Sequence, residues 1–295
     1  MSIHRFSVII LFLLNATVMS VHAAAAAENT AAPLSLVVMD PLAAPLSCPC
    51  VEGYAQRRYE VLAEHLAAAI GRKVKVTFGQ TLKAALRKSG GKADLIIGKD
   101  SVVRADSSAS KVAVLPIGQL TDMQGSTQQH GLIVVNRDDP AKSVSDLGGY
   151  TIIFGPSEAD EKHSAAQKLL TAAGIQIPRK LTIDLACSDG ACKVIDLGPK
   201  SKTAAAISSY AQPLLEGCGT IRKGDLRVVG KTAPVAFVTA FAAKGLPVAE
   251  RDRIKAALLD MATKPKVLEA MESLVGFLPI TDTTTSVAPT VAKKK

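Results

Sequence analysis

Leu34-Ser-Leu-Val-Val-Met39, closed by Asp40-Pro41, is a short apolar run that reads as a buried strand. A Pro-rich loop follows from 42 to 51, and then the period changes. Ala55, Tyr59, Leu62, Ala63, Leu66 and Ile70 recur at helical spacing and stop at Gly71, which marks one face of a helix. Val74-Lys-Val-Thr-Phe78 returns to strand. A strand, an amphipathic helix and a second strand in this order form the unit from which parallel sheets are built.

The alternation continues outward from this unit. Strands are expected at 93–97, 112–115, 131–135, 150–154, 181–185, 203–207, 226–229 and 235–241, with helices at 81–88, 157–173, 209–215, 249–262 and 266–274. The fold class is therefore α/β, with mainly parallel sheets flanked by helices, and no 20- to 50-residue repeat suggests a solenoid. In such sheets ligands gather beyond the carboxyl ends of the strands. The loops to watch are 42–50, 99–101, 157–161, 187–192 and 208–210.

Composition agrees with a globular chain and narrows its uses. Of 295 residues, 48% are hydrophobic and 21% charged, which excludes a disordered, collagen-like or coiled-coil protein. Phe 7, Tyr 4 and Trp 0 leave few flat faces for stacking bases or sugars. The net charge of +9 includes the terminal Lys293-Lys294-Lys295 and otherwise comes from scattered bases, so it speaks for solubility and against nucleic acid. The mean hydropathy of +0.23 owes much to alanine and to one N-terminal run. There, His4 and Arg5 precede the nearly unbroken apolar stretch 6–14, and Val21-His22-Ala23 ends in small residues. This is the pattern of a secretory signal peptide cut near Ala23 or Ala27, since a membrane anchor needs about 20 apolar residues.

Four stretches, taken in order, resemble the type II periplasmic solute-binding proteins, in the phosphonate/phosphite-binding branch that serves ABC transporters. They are Gly53-Tyr-Ala-Gln-Arg-Arg-Tyr-Glu-Val-Leu-Ala-Glu-His-Leu66 with Ile70-Gly-Arg-Lys-Val74, then Gly91-Lys-Ala-Asp-Leu-Ile-Ile-Gly98. Ser143-Val-Ser-Asp-Leu-Gly-Gly-Tyr-Thr-Ile-Ile-Phe-Gly155 and Leu246-Pro-Val-Ala-Glu-Arg-Asp-Arg-Ile-Lys-Ala-Ala-Leu-Leu259 complete the set. The resemblance implies a two-lobe fold with the ligand cleft between the lobes and crossing segments near 130–137 and 229–241. The expected division is a signal peptide at 1–27, lobe 1 at 28–136, lobe 2 at 137–228, a crossover and return to lobe 1 at 229–285, and a basic tail at 286–295. It also implies a periplasmic monomer that captures a small, phosphonate-like oxyanion by closure and meets a transporter permease.

An oxyanion calls for helix N-termini, hydroxyls and fixed cations. Lys99 and Ser101 follow one strand, Ser157 and Glu158 another, and Ser208, Ser209 and Tyr210 a third; Ser47, Ser126 and Thr127 complete the candidate ligand set. The serines would serve equally well as ordinary N-caps. The family tends to have a Ser/Thr-rich turn where this chain has Ser157-Glu-Ala-Asp-Glu161, and three carboxylates there would repel a dianion. Cys48, Cys50 and Cys187 are candidate ligands for copper or zinc, with His130 or His163 in support, and a metal-binding, accessory or sensor protein is the alternative function. In an oxidising compartment the competing use is disulfide bonding, with Cys187, Cys192 and Cys218 as candidates. No G-x-S-x-G, H-E-x-x-H, P-loop or G-x-G-x-x-G motif is present, so catalysis is not expected and no other cofactor is implied.

Overall fold

The computed structural model describes residues 32–47, 51 and 55–280. In chain order the elements are β1 (Leu34–Met39), α1 (Tyr59–Ile70), β2 (Val74–Phe78), α2 (Leu82–Ser89), β3 (Leu95–Lys99), α3 (Asp100–Ala109), β4 (Val114–Leu120), β5 (Gln128–Gln129) and β6 (Gly131–Asn136). They continue with β7 (Thr151–Phe154), α4 (Ser164–Ala172), β8 (Thr182–Ile183), α5 (Cys187–Leu197), β9 (Thr203–Ser208), α6 (Ala211–Gly217) and β10 (Leu226–Lys231). The chain closes with β11 (Val235–Ala236), β12 (Val238–Ala243), α7 (Val248–Asp260), α8 (Pro265–Ala270) and β13 (Phe277–Leu278).

Two larger sheets result. The first has the order β13-β4-β12-β3-β1-β2 and the second β10-β6-β9-β7-β8. Each keeps a parallel set, β2-β1-β3 in one and β8-β7-β9 in the other. Antiparallel strands extend both, because β12 pairs against β3 and β4, and β6 against β9 and β10. The strand β12 enters its sheet directly from the second lobe with no crossover helix before it, so it is free to run opposite to β3.

The apolar residues of β1 split by pleat. Leu36 and Val38 face a core shared with Tyr59, Leu62 and Leu66 of α1 and with Ile254 and Leu258 of α7. Val37 and Met39 face the other side, against Leu82, Ile96 and Val103. Both faces are buried, which is why the run contains no outward polar position. The helical face expected from 55 to 70 is buried from Tyr59 onward, and Gly71, at φ 69°, closes α1 in the left-handed conformation. In β9 the small Ala204 and Ala206 face one core of the second sheet and Ala205 the other. Among the described residues no helix is long and apolar enough to cross a membrane.

Three expectations need correction. A lobe boundary at 136/137 would assign β6 to the first sheet, yet β6 lies in the second. The chain crosses earlier, at β5, and returns at β11; these two form a small antiparallel pair of their own. The helix expected from 157 begins only at Ser164, because Ala159 N–H bonds to Pro156 O and Lys162 N–H to Ala159 O in successive turns. The segment 187–192, expected as a loop, is the first half of α5.

Candidate functional site

The carboxyl ends of β1 and β3 on one lobe face the turns after β7, β8 and β9 on the other. Between them lies a cavity of about 830 Å³. Its floor is set by Asp40, which is fully buried behind β1. Arg57 Nη1 and Tyr59 Oη both donate to Asp40 Oδ2, at 2.9 and 2.7 Å, and Leu42 N–H donates to Oδ1 at 3.0 Å. These bonds hold the loop that brings Pro41, Leu42 and Leu46 to the cavity wall. The Arg57 guanidinium also lies 5.3 Å from the Phe237 ring centre, and Phe237 stacks on Tyr210 at 4.9 Å, so the floor is continuous across the lobes. Burial pushes the phenol of Tyr59 well above its ordinary range, with Asp40 adding to the effect. Burial does the same for Tyr210, with Cys187 and Glu161 facing it.

A second polar group joins the lobes. Lys99, 6% exposed, donates from Nζ to Glu161 Oε1 at 2.5 Å, and Glu161 is 0% exposed. The same oxygen accepts Ser208 Oγ at 2.5 Å, and Oε2 accepts Gln129 Nε2 at 3.4 Å. Nearby, Ser101 Oγ donates to Glu158 O at 2.7 Å and accepts Asp160 N–H at 3.3 Å. Gly131 makes this approach possible, since a Cβ there would lie 2.0 Å from Glu161 O.

The three carboxylates of the 157–161 turn therefore do different things. Glu161 points inward and neutralises Lys99. Asp160 accepts Ser164 Oγ at 3.1 Å, at the start of α4. Glu158 alone lines the cavity. Asp106 also lines it, but Oδ2 accepts Leu82 N–H at 2.7 Å, at the N-terminus of α2.

Lys162 is the cation that sequence reasoning missed. It is 5% exposed, lines the cavity, and has no carboxylate within ion-pair distance among the described residues. One of its three N–H groups reaches Leu185 O, at 3.3 Å. Gly155 makes room for its stem: a Cβ at 155 would sit 2.6 Å from both Cβ and Cε of Lys162. Beside it on the wall are Cys187 and Ser188, the first residues of α5. Ala186 precedes them and offers no side-chain cap, and Asp189 is the acidic residue of the first turn.

Of the expected ligand residues, Ser47, Lys99, Glu158 and Tyr210 line the cavity. Ser101 and Ser208 lie behind the wall in the lobe-to-lobe bonds. Ser209 Oγ accepts His130 N–H at 3.1 Å, and Ser126 Oγ donates to Gln128 O at 3.3 Å in a tight turn. Thr127 supplies a carbonyl to Phe237 N–H, and Ser157 is exposed and does not line the cavity. Neither Ser157 nor Ser208 caps a helix, because α4 starts at Ser164 and α6 at Ala211.

Cys48 and Cys50 lie outside the described residues. Of the disulfide candidates, Cys187 and Cys192 do not pair: both are free thiols, five residues apart on one helix and so on different faces. Cys187 Sγ donates instead to Ser208 Oγ at 3.5 Å, and Cys218 Sγ lies 3.0 Å from Thr220 Oγ1. His130 Nδ1 bonds to Thr232 O and His163 Nδ1 to Gly155 O, at 2.9 and 2.8 Å. Among the described residues no three His, Cys, Asp or Glu side chains converge to hold a metal.

A family model described as ABC transporter, phosphonate, periplasmic substrate-binding protein matches residues 53–285. The chain belongs to this family. It is thus a periplasmic solute-binding protein of an ABC transporter, built on the two-lobe fold that the sequence resemblance implied. No curated protein matches the sequence. Solved structures share the fold at low identity. XAC2383 from Xanthomonas citri, bound to ATP, aligns at TM-score 0.65 and 18% identity over 86% of this chain and 93% of that one. A binding protein component of an ABC phosphonate transporter, PA3383 from Pseudomonas aeruginosa, aligns at 0.62 and 14% over 85% and 82%. PhnD1 from Prochlorococcus marinus, in complex with methylphosphonate, aligns at 0.60 and 14% over 84% and 93%.

Proposed function

We propose that this solute-binding protein captures an anion-headed small molecule in the cavity between its lobes and hands it to a transporter permease, after export by its N-terminal leader and cleavage near Ala23 or Ala27. The observation that carries the reading is Lys162, a buried ammonium on the cavity wall with no carboxylate partner among the described residues. A buried unpaired cation is costly, and an anionic ligand would relieve that cost. Cys187 and Ser188, at the start of α5, line the same end of the cavity and leave room there for a head group.

This reading moves the anion contact from Lys99 to Lys162, because Lys99 already spends its charge on Glu161. Isothermal titration of methylphosphonate and of inorganic phosphate into the exported protein and its Lys162→Met variant tests it. A charge-assisted hydrogen bond contributes about 1.5–3 kcal/mol, so the variant should bind roughly 10- to 100-fold more weakly. Equal affinity in both proteins would overturn the assignment.

A further inference from the structure

The cavity is larger and more apolar than a bare oxyanion needs. At about 830 Å³ it falls at the upper end of the range for pockets that hold drug-sized ligands. Gln80, Thr81 and Thr220 add polar edges, and the apolar part of its wall includes Met39, Leu42, Leu46, Val102 and Leu185, drawn from both lobes. Leu185 is 77% exposed at the edge of this wall, next to the backbone carbonyl that holds Lys162. An apolar side chain so placed gains by being covered, and among the described residues it stays largely exposed.

The charges are gathered rather than spread. Lys99 and Glu161 cancel, Asp106 is engaged by the α2 N-terminus, Glu158 leaves one carboxylate on the wall, and Lys162 beside the start of α5 marks one end. A molecule that satisfies both parts carries its negative charge at one end and hydrocarbon at the other. We propose that the ligand is an amphiphilic organic anion, a phosphonate or phosphate ester bearing an alkyl or aryl body, with its head at Lys162 and its body against Leu42, Leu46, Val102 and Leu185. This rests on the head-group reading above and adds the class of the body.

The test is a calorimetric series on the exported protein with inorganic phosphate, methyl-, butyl- and octylphosphonate, and octanol as the headless control. Burial of each added methylene should tighten binding about three- to fourfold, so octylphosphonate should exceed methylphosphonate by at least about 100-fold. Leu185→Asn, a neutral change at an exposed position, should cut the octylphosphonate-to-methylphosphonate affinity ratio at least about tenfold. If methylphosphonate or phosphate binds as tightly as octylphosphonate, the apolar body is wrong while the head-group reading survives. If octanol matches octylphosphonate, the head-group reading fails, and the amphiphilic anion with it. Binding by none of the series overturns both.

Discussion

Lys99 and Lys162 line the cavity from opposite lobes, about equally buried, and differ in what faces them. Glu161 meets Lys99 with full desolvation on both sides, so the pair contributes through geometry and little through net energy. Removing one partner leaves a buried charge uncompensated. Glu161→Gln should therefore lower stability by about 3 kcal/mol or more, and Lys99→Met with Glu161→Leu should recover most of that loss in denaturant unfolding. A double variant as unstable as Glu161→Gln would show that Glu161 acts through Ser208 and Gln129 instead. The difference between the two lysines was not legible in the sequence. Lys99 was visible because it ends an apolar strand, whereas Lys162 lay in a stretch that reads as the first turns of a helix. Only the turns that delay α4 to Ser164, and the space left by Gly155, aim it into the cavity.

At the level of elements, the strands of the parallel sets were the most legible. Short apolar runs such as those at 36–39 and 95–97 admit few other readings once glycine and charged residues bound them. Helices with polar beginnings were harder. The start of α3, Asp100-Ser-Val-Val-Arg104, and of α5, Cys187-Ser-Asp-Gly-Ala191, have the composition of loops. Gly190 within α5 strengthened that impression, yet it suits the close crossing of β9, where a Cβ would stand a tight 3.3 Å from Ala205 Cβ. Helix-to-sheet packing selected small residues on both sides, and periodicity at one position cannot report that. The switch of β6 to the second sheet was hidden for a similar reason. Its apolar run fits either sheet, and the choice is made by the two-residue pairs β5 and β11, too short to leave a pattern.

Across the whole molecule, the two lobes are held together by the Lys99–Glu161 pair, the Ser101 bonds to the 158–160 backbone, and the Tyr210–Phe237 stack. The floor of that closed arrangement has a signature in alkali. Burial raises the phenols of Tyr59 and Tyr210 well above their ordinary range, and raises Tyr150, beside Asp139, to about 12. The folded state thus keeps protons that the unfolded chain releases near pH 10, so stability is intact below that pH and falls as pH rises above it. Absorbance at 295 nm should show Tyr59 and Tyr210, and Tyr150 outside the floor, still protonated at pH 10.5 in the native protein and ionised after unfolding; ionisation of Tyr59 and Tyr210 without unfolding would contradict the buried floor. The central claim, an anion held at the Lys162 end of the cavity, is tested most directly by a crystal structure of the exported protein soaked with methylphosphonate. The account predicts phosphonate oxygens within hydrogen-bond reach of Lys162 Nζ and the first N–H groups of α5, with Lys99 still on Glu161. A phosphonate bound to Lys99 and Ser208, with Glu161 displaced, would contradict it.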